Sequence, residues 1–176
     1  MNLANKLTIF RVVLVPFFVL FLLTDFTEYN RIIALIIFIL ATITDHFDGK
    51  IARKYNMVTS FGKFMDPIAD KLLVSSAIIS LTALEKIPAW VTITIISREF
   101  IISGVRLVAS DSGSVIAAST WGKAKTITQM AMIIIFLLDI PAFYILSQIA
   151  MYLSVSLTIV SLIDYLIKNK SVIKFE

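Results

Sequence analysis

Six apolar runs joined by short connections dominate the chain: Ile9 to Leu23, Ile32 to Ile43, Leu72 to Leu84, Ile87 to Val108 (broken by Arg98 and Glu99), Ile127 to Leu138 and Phe143 to Ile167. A helix needs roughly 20 residues to cross a hydrocarbon core, so six spans and their links occupy the chain. Composition agrees. Of 176 residues, 59% are hydrophobic and 16% charged, and the mean hydropathy of +0.93 lies far outside the range of soluble domains. The expected fold is all-α and integral to the membrane, with six transmembrane helices in a single domain over 1–176.

Basic residues orient the spans, because Lys and Arg flank cytoplasmic ends. Lys6 and Arg11 open the chain; Lys50, Arg53, Lys54 and Lys63 lie between the second and third runs. Arg106, Lys123 and Lys125 lie between the fourth and fifth, and Lys168, Lys170 and Lys174 follow the sixth. The alternate connections, "TDFTEYNR", "EKIP" and "DIP", offer only Arg31 and Lys86. Both termini are therefore expected on the cytoplasmic side. The opening "MNLANKLTIFR" mixes polar and apolar residues and reads as a short interfacial helix, and Asn5, Thr8 and Arg11 read equally well as no more than an interfacial cap or as functional residues. The first run lacks a small-residue cleavage site and reads as a retained span, kinked at Pro16. There is no cysteine, hence no disulfide framework or thiolate site. The net charge of +4 suits anionic lipid or phosphate. No basic groove interleaved with aromatics points to nucleic acid.

Against this background the stretch "TDHFDGKIARKYNMVTSFGKFMDPIADK" is anomalous: it holds Asp45, Asp48, Asp66 and Asp70. The second, third and fifth apolar runs are each about 13 residues, or roughly 20 Å of helix, short of a core of about 30 Å. The charged ends must complete them, which brings "TDHFDG", "DPIADK" and "GKAKT" to the membrane boundary around a polar cavity open to the cytoplasm.

On helices, Asp45 and Asp48 are spaced i, i+3 and Asp66 and Asp70 i, i+4, so each pair projects from one face. Two carboxylates about 4 Å apart repel by roughly 4 kcal/mol at an effective dielectric near 20, and each charge near the bilayer centre costs about 2.5 to 3.5 kcal/mol more. Proton sharing relieves this; so does a hard divalent cation such as magnesium or manganese. Four carboxylates can hold two such ions, an arrangement suited to phosphoryl displacement. Gly49, Ala52 and Gly62 let a phosphate or planar group approach the backbone, and Arg53 offers a fork for phosphate oxygens. Pro67 frees the Lys63 carbonyl, which predicts an irregular helix entry.

Asp45-x-x-Asp48-Gly49-x-x-Ala52-Arg53, eight further residues, then Gly62-x-x-x-Asp66-x-x-x-Asp70 resembles the complete signature of the CDP-alcohol phosphatidyltransferases. "NKLTIFR", "SREFIISGVR" and "GKAKT" are similar to the branch whose acceptor is glycerol 3-phosphate, so the resemblance covers nearly the whole chain. It departs at His46, where an apolar residue is expected; that position points about 100° away from Asp45.

The resemblance implies a bacterial multi-pass enzyme of phospholipid biosynthesis in the cell membrane. Glycerol 3-phosphate attacks the β-phosphorus of CDP-diacylglycerol, giving phosphatidylglycerol phosphate and CMP. It implies that Asp45, Asp48, Asp66 and Asp70 hold two metal ions, magnesium or manganese, with Asp70 acting as ligand or as base. It assigns the CDP pocket to Asp48, Gly49, Ala52, Arg53 and Gly62, and it implies a homodimer.

The acceptor side follows from charge. A phosphorylated alcohol needs cations, and Arg98, Arg106, Lys123 and Lys125 are available. Arg98 lies about ten residues into its span, so it must face the interior, compensated by Glu99. The two read equally well as a structural ion pair. Glu99, Ser103 and Arg106 share one helical stripe, which directs Arg106 to the cavity. The rival readings are a family member making cardiolipin from phosphatidylglycerol, and a divalent-cation transporter.

Overall fold

The computed structural model describes the backbone of residues 3–54, 60–111, 116 and 119–170, and the side chains of 5–44, 65, 68–110, 116 and 119–170. The elements are α1 (Leu3–Leu23), α2 (Asn30–Lys54), α3 (Ser60–Ala83), α4 (Ala89–Asp111), α5 (Thr120–Leu138), a one-turn 3-10 helix (Pro141–Phe143) and α6 (Tyr144–Lys168). There is no strand among the described residues. The helices form two compact units, Met1–Lys86 and Ile87–Glu176.

In the first unit, α1 packs on both α2 and α3, and α2 packs on α3. The α1–α2 connection is fastened by one side chain. Asn30 accepts from the backbone N–H of Thr27 at 3.0 Å and its hydroxyl at 2.8 Å, and donates to the Thr24 carbonyl. Further along the antiparallel pair, the fully buried rings of Phe18 and Phe38 meet at 5.8 Å between centroids. At the end of α3, Glu85 adopts a left-handed φ of 57°. The Lys86 N–H then reaches back to the Leu81 carbonyl at 2.9 Å, satisfying one of the last open acceptors of the helix.

In the second unit, α4 and α5 each pack on α6. The buried stripe of α6 includes Ser147, Met151, Ser154, Thr158, Ser161 and Tyr165, at spacings of three and four, so it is mostly short side chains. Such residues let helix backbones approach closely where lipid offers no hydrophobic drive to associate. The hydroxyls of Thr158 and Ser161 bond to carbonyls of their own helix, at 2.7 and 3.0 Å. Ser119 caps α5, its Oγ accepting from the Gly122 N–H at 3.0 Å. A left-handed Asp139 (φ 48°) closes that helix before Pro141 starts the 3-10 turn.

Large apolar side chains point outward, among them Ile93, Phe100, Leu107, Ile127, Tyr144 and Ile145. An apolar exterior of this extent suits lipid and not water. Among the described residues, Asn5–Leu23, Thr120–Leu138 and Pro141–Lys168 are long and apolar enough to cross a membrane, and the described part of α2, Asn30–Thr44, is a shorter apolar stretch. These features mark a membrane-embedded, all-helical protein.

Two local expectations are corrected. The opening residues are not a separate interfacial helix: α1 runs unbroken from Leu3, and Asn5, Thr8 and Arg11 are buried in the unit. Spaced i, i+3, i+6, they give the first turns of a continuous helix a face to bury. The helix carrying Pro67 is likewise continuous from Ser60 to Ala83. Proline removes one hydrogen bond, which neighbouring turns tolerate.

Candidate active site

The acidic signature lies on two packed helices of the first unit. Asp45, Asp48, Gly49, Ala52 and Arg53 occur in the C-terminal half of α2, and Gly62, Asp66 and Asp70 in the N-terminal half of α3. Both backbones are helical there, so the expected i, i+3 and i, i+4 spacings hold. The side chains of Asp45, His46, Asp48, Gly49, Ala52, Arg53, Gly62 and Asp66 lie outside the described residues. Asp70 is half-buried, next to the fully buried Ala69. By sequence, the apolar run of α2 ends at Ile43, two residues before Asp45.

The register of α1 against α2 adds residues that the motif omits. Arg11 stands seven residues before Phe18, and Asp45 seven after Phe38. In an antiparallel pair of equal rise, anchored where those rings meet, Arg11 falls at the axial level of Asp45, and Thr8 at that of Asp48. Arg11 is 0% exposed, Thr8 1% and Asn5 7%, and none of the three is without a partner. A fully buried guanidinium at this level is not a surface cap. The signal was present in the sequence: polar residues at i, i+3 and i+6 in an apolar helix have only the protein interior to face.

The basic residues of the second unit divide into two groups. Arg98 Nη1 and Lys125 Nζ both reach Oε1 of Glu99, at 3.0 and 2.5 Å. Arg98 and Lys125 are buried, so the expected compensation of Arg98 by Glu99 is present and extends to α5. Two cations on one carboxylate leave the cluster with a net positive charge. Arg106 and Lys123 are exposed. The Arg106 guanidinium carbon stands 5.8 Å from the ring centroid of Tyr165 on α6, a residue absent from every motif read in the sequence. Within the stripe of Glu99, Ser103 and Arg106, the Ser103 hydroxyl donates to the Glu99 carbonyl at 2.5 Å.

Lys123 and Lys125 lie in the first two turns of α5. Cations are disfavoured at that positive end of a helix, by about 0.3 to 1 kcal/mol at exposed sites. Their charge adds to that of the helix end and makes this region attractive to anions. The Ser and Gly content of "ASDSGSVIAASTWGK" predicts an irregular connection over Ala109 to Lys123; it is shortened at both ends, since α4 continues to Asp111 and α5 begins at Thr120. Residues 112–115, 117 and 118 lie outside the described residues.

The family model for CDP-alcohol phosphatidyltransferase matches residues 1–160, across both units. Among curated relatives, the CDP-diacylglycerol--glycerol-3-phosphate 3-phosphatidyltransferase of Bacillus subtilis is 41% identical over 189 residues, covering 98% of this chain and 97% of that protein. The probable phosphatidylglycerophosphate synthase of Mycobacterium tuberculosis is 42% identical, covering 93% of this chain and 79% of its own length. The Haemophilus influenzae protein named as the Bacillus subtilis one is 41% identical over 94% of this chain and 91% of its own. With the acidic signature intact on two packed helices and matches of this extent, the chain belongs to the CDP-alcohol phosphatidyltransferase family.

Proposed function

We propose that this protein transfers the phosphatidyl group of CDP-diacylglycerol to sn-glycerol 3-phosphate, giving phosphatidylglycerol phosphate and CMP. The carrying observation is that relatives bearing the name of that activity align over nearly the whole chain at about 40% identity.

Asp45, Asp48, Asp66 and Asp70 are the residues that hold the divalent cations, magnesium or manganese. Carboxylate oxygens at helical spacing on two packed helices are the hard donor set these ions prefer. Bound there, two such ions supply Lewis-acid stabilisation of the phosphoryl oxygens and of the departing CMP. Asp48, Gly49, Ala52, Arg53 and Gly62 bind the CDP moiety, the small residues admitting it close to the backbone. Asp70, half-buried, takes the proton from the attacking hydroxyl of glycerol 3-phosphate. A new bond forms between that oxygen and the β-phosphorus, the bond to the CMP oxygen breaks, and CMP leaves with its electron pair.

Arg106 and Lys123 grip the acceptor phosphate. Their exposure leaves their donors available, whereas Arg98 and Lys125 are committed to Glu99 and contribute positive charge from beneath. The protein acts as a single domain of six spans in a bacterial cell membrane, both termini and the site facing the cytoplasm, as a homodimer. The placement of Lys and Arg in the sequence supports that orientation. Metal-dependent CMP release with glycerol 3-phosphate as the sole effective acceptor tests the reading. Release with phosphatidylglycerol instead indicates cardiolipin synthesis, and no release with any acceptor favours a cation transporter.

A further inference from the structure

The contact between Arg106 and Tyr165 has a functional consequence. Arg106 is exposed on α4 and makes no ion pair among the described residues; its recorded partner is the face of the Tyr165 ring, at 5.8 Å. Tyr165 is the opposite kind of residue: 2% exposed, at the C-terminal end of the buried stripe of α6. Its hydroxyl is buried and finds no hydrogen-bond partner among the described residues. The neighbouring Asp164 is engaged with Lys168 at 2.7 Å, so the charge closest in sequence to the ring is already paired.

A guanidinium over an aromatic face is attracted by the ring quadrupole and loses freedom to swing, while its N–H donors stay unspent. An arginine on a long flexible stem otherwise loses rotamer entropy each time it closes on an anion. We propose that Tyr165 is a positioning residue: its ring, immobilised in the packed core of the second unit, holds the Arg106 guanidinium in place to receive the phosphate of the acceptor. The inference rests on Arg106 serving that phosphate. The ring provides the effect; the unpartnered hydroxyl adds nothing to it, so phenylalanine does the same work.

The test is steady-state kinetics in detergent or lipid micelles for the wild type, Tyr165→Phe, Tyr165→Leu, Tyr165→Met, Arg106→Ala and Arg106→Ala combined with Tyr165→Leu. KM is measured separately for glycerol 3-phosphate and CDP-diacylglycerol. Tyr165→Leu and Tyr165→Met are expected to raise KM for glycerol 3-phosphate roughly three- to tenfold, the range of a cation–π contact. KM for CDP-diacylglycerol and kcat stay within about twofold, and Tyr165→Phe resembles the wild type. In the Arg106→Ala background, Tyr165→Leu adds no further increase, because the residue acts only through that arginine. Two aliphatic replacements are used so that the test does not depend on one of them folding. An unchanged KM in both, an equal rise without Arg106, or a loss in Tyr165→Phe as large as in Tyr165→Leu overturns the inference. An unchanged KM in Arg106→Ala itself overturns the underlying assignment of Arg106, a result readable independently of the tyrosine variants.

Discussion

Lys125 on α5 and Glu99 on α4 are joined at 2.5 Å, and the same Glu99 oxygen receives Arg98 at 3.0 Å. This asymmetry predicts an order of damage. Removing Lys125 leaves Glu99 paired with Arg98; removing Glu99 leaves two buried cations uncompensated. Breaking a buried pair from one side costs about 3 to 5 kcal/mol. Glu99→Gln should therefore lower thermal stability in detergent by more than Lys125→Met. The reverse order would show that the cluster is not held by the shared carboxylate.

Arg11 is fully buried at the axial level of Asp45. Arg11→Met should cost several kcal/mol, on the order expected when a buried charge loses its partner. Arg11→Lys, which keeps the charge and most of the stem, should recover a good part of it. Thermal melts of the two variants decide this. Equal melting temperatures for wild type and Arg11→Met would make Arg11 the interfacial cap that the sequence first suggested.

Asp70 has the role most open to direct test. As the base, Asp70→Asn should reduce kcat by roughly 100-fold or more, while the stabilisation that magnesium gives to the melting temperature, still supported by Asp45, Asp48 and Asp66, falls only in part. Asp45→Ala should lose both. If Asp70→Asn abolishes the magnesium-dependent shift as completely as Asp45→Ala, Asp70 serves as a ligand first.

The buried stripe of α6 leaves no space at Ser154, whose exposure is 0%. Ser154→Leu should push α6 away from its neighbours and cost about 1 to 3 kcal/mol. Ser154→Ala should be neutral or mildly stabilising, because the Ser154 hydroxyl has no partner among the described residues. Comparing the two melts separates volume from polarity.

Much of this was legible in the sequence because lipid imposes a simple rule: a long apolar run must be a helix, and a charge within it must have a reason. Helices for the six runs, the helical spacing of the aspartates and the pairing of Arg98 with Glu99 all follow from that. Periodicity failed where helix and interface use the same residues. Asn5, Thr8 and Arg11 are as suitable for a cap as for a buried stripe, and only the packing of α1 on two helices decides between them. Propensity also misjudged the connection after α4, where Ala109 and Ser110 continue the helix and Ser119 caps the next. The partition of the basic residues was not legible at all. Lys123 and Lys125 are two residues apart, and helical geometry turns one outward and the other onto a carboxylate 26 residues earlier in the chain. Tyr165 had no motif to signal it; its role comes from a contact between helices.

The central claim is tested most directly by CMP release from CDP-diacylglycerol by the purified protein, with magnesium or manganese, offering glycerol 3-phosphate, phosphatidylglycerol, inositol or serine separately. The account predicts release that requires the metal and occurs with glycerol 3-phosphate alone, with phosphatidylglycerol phosphate as the lipid product. Release driven by another acceptor, or none with any, would contradict it.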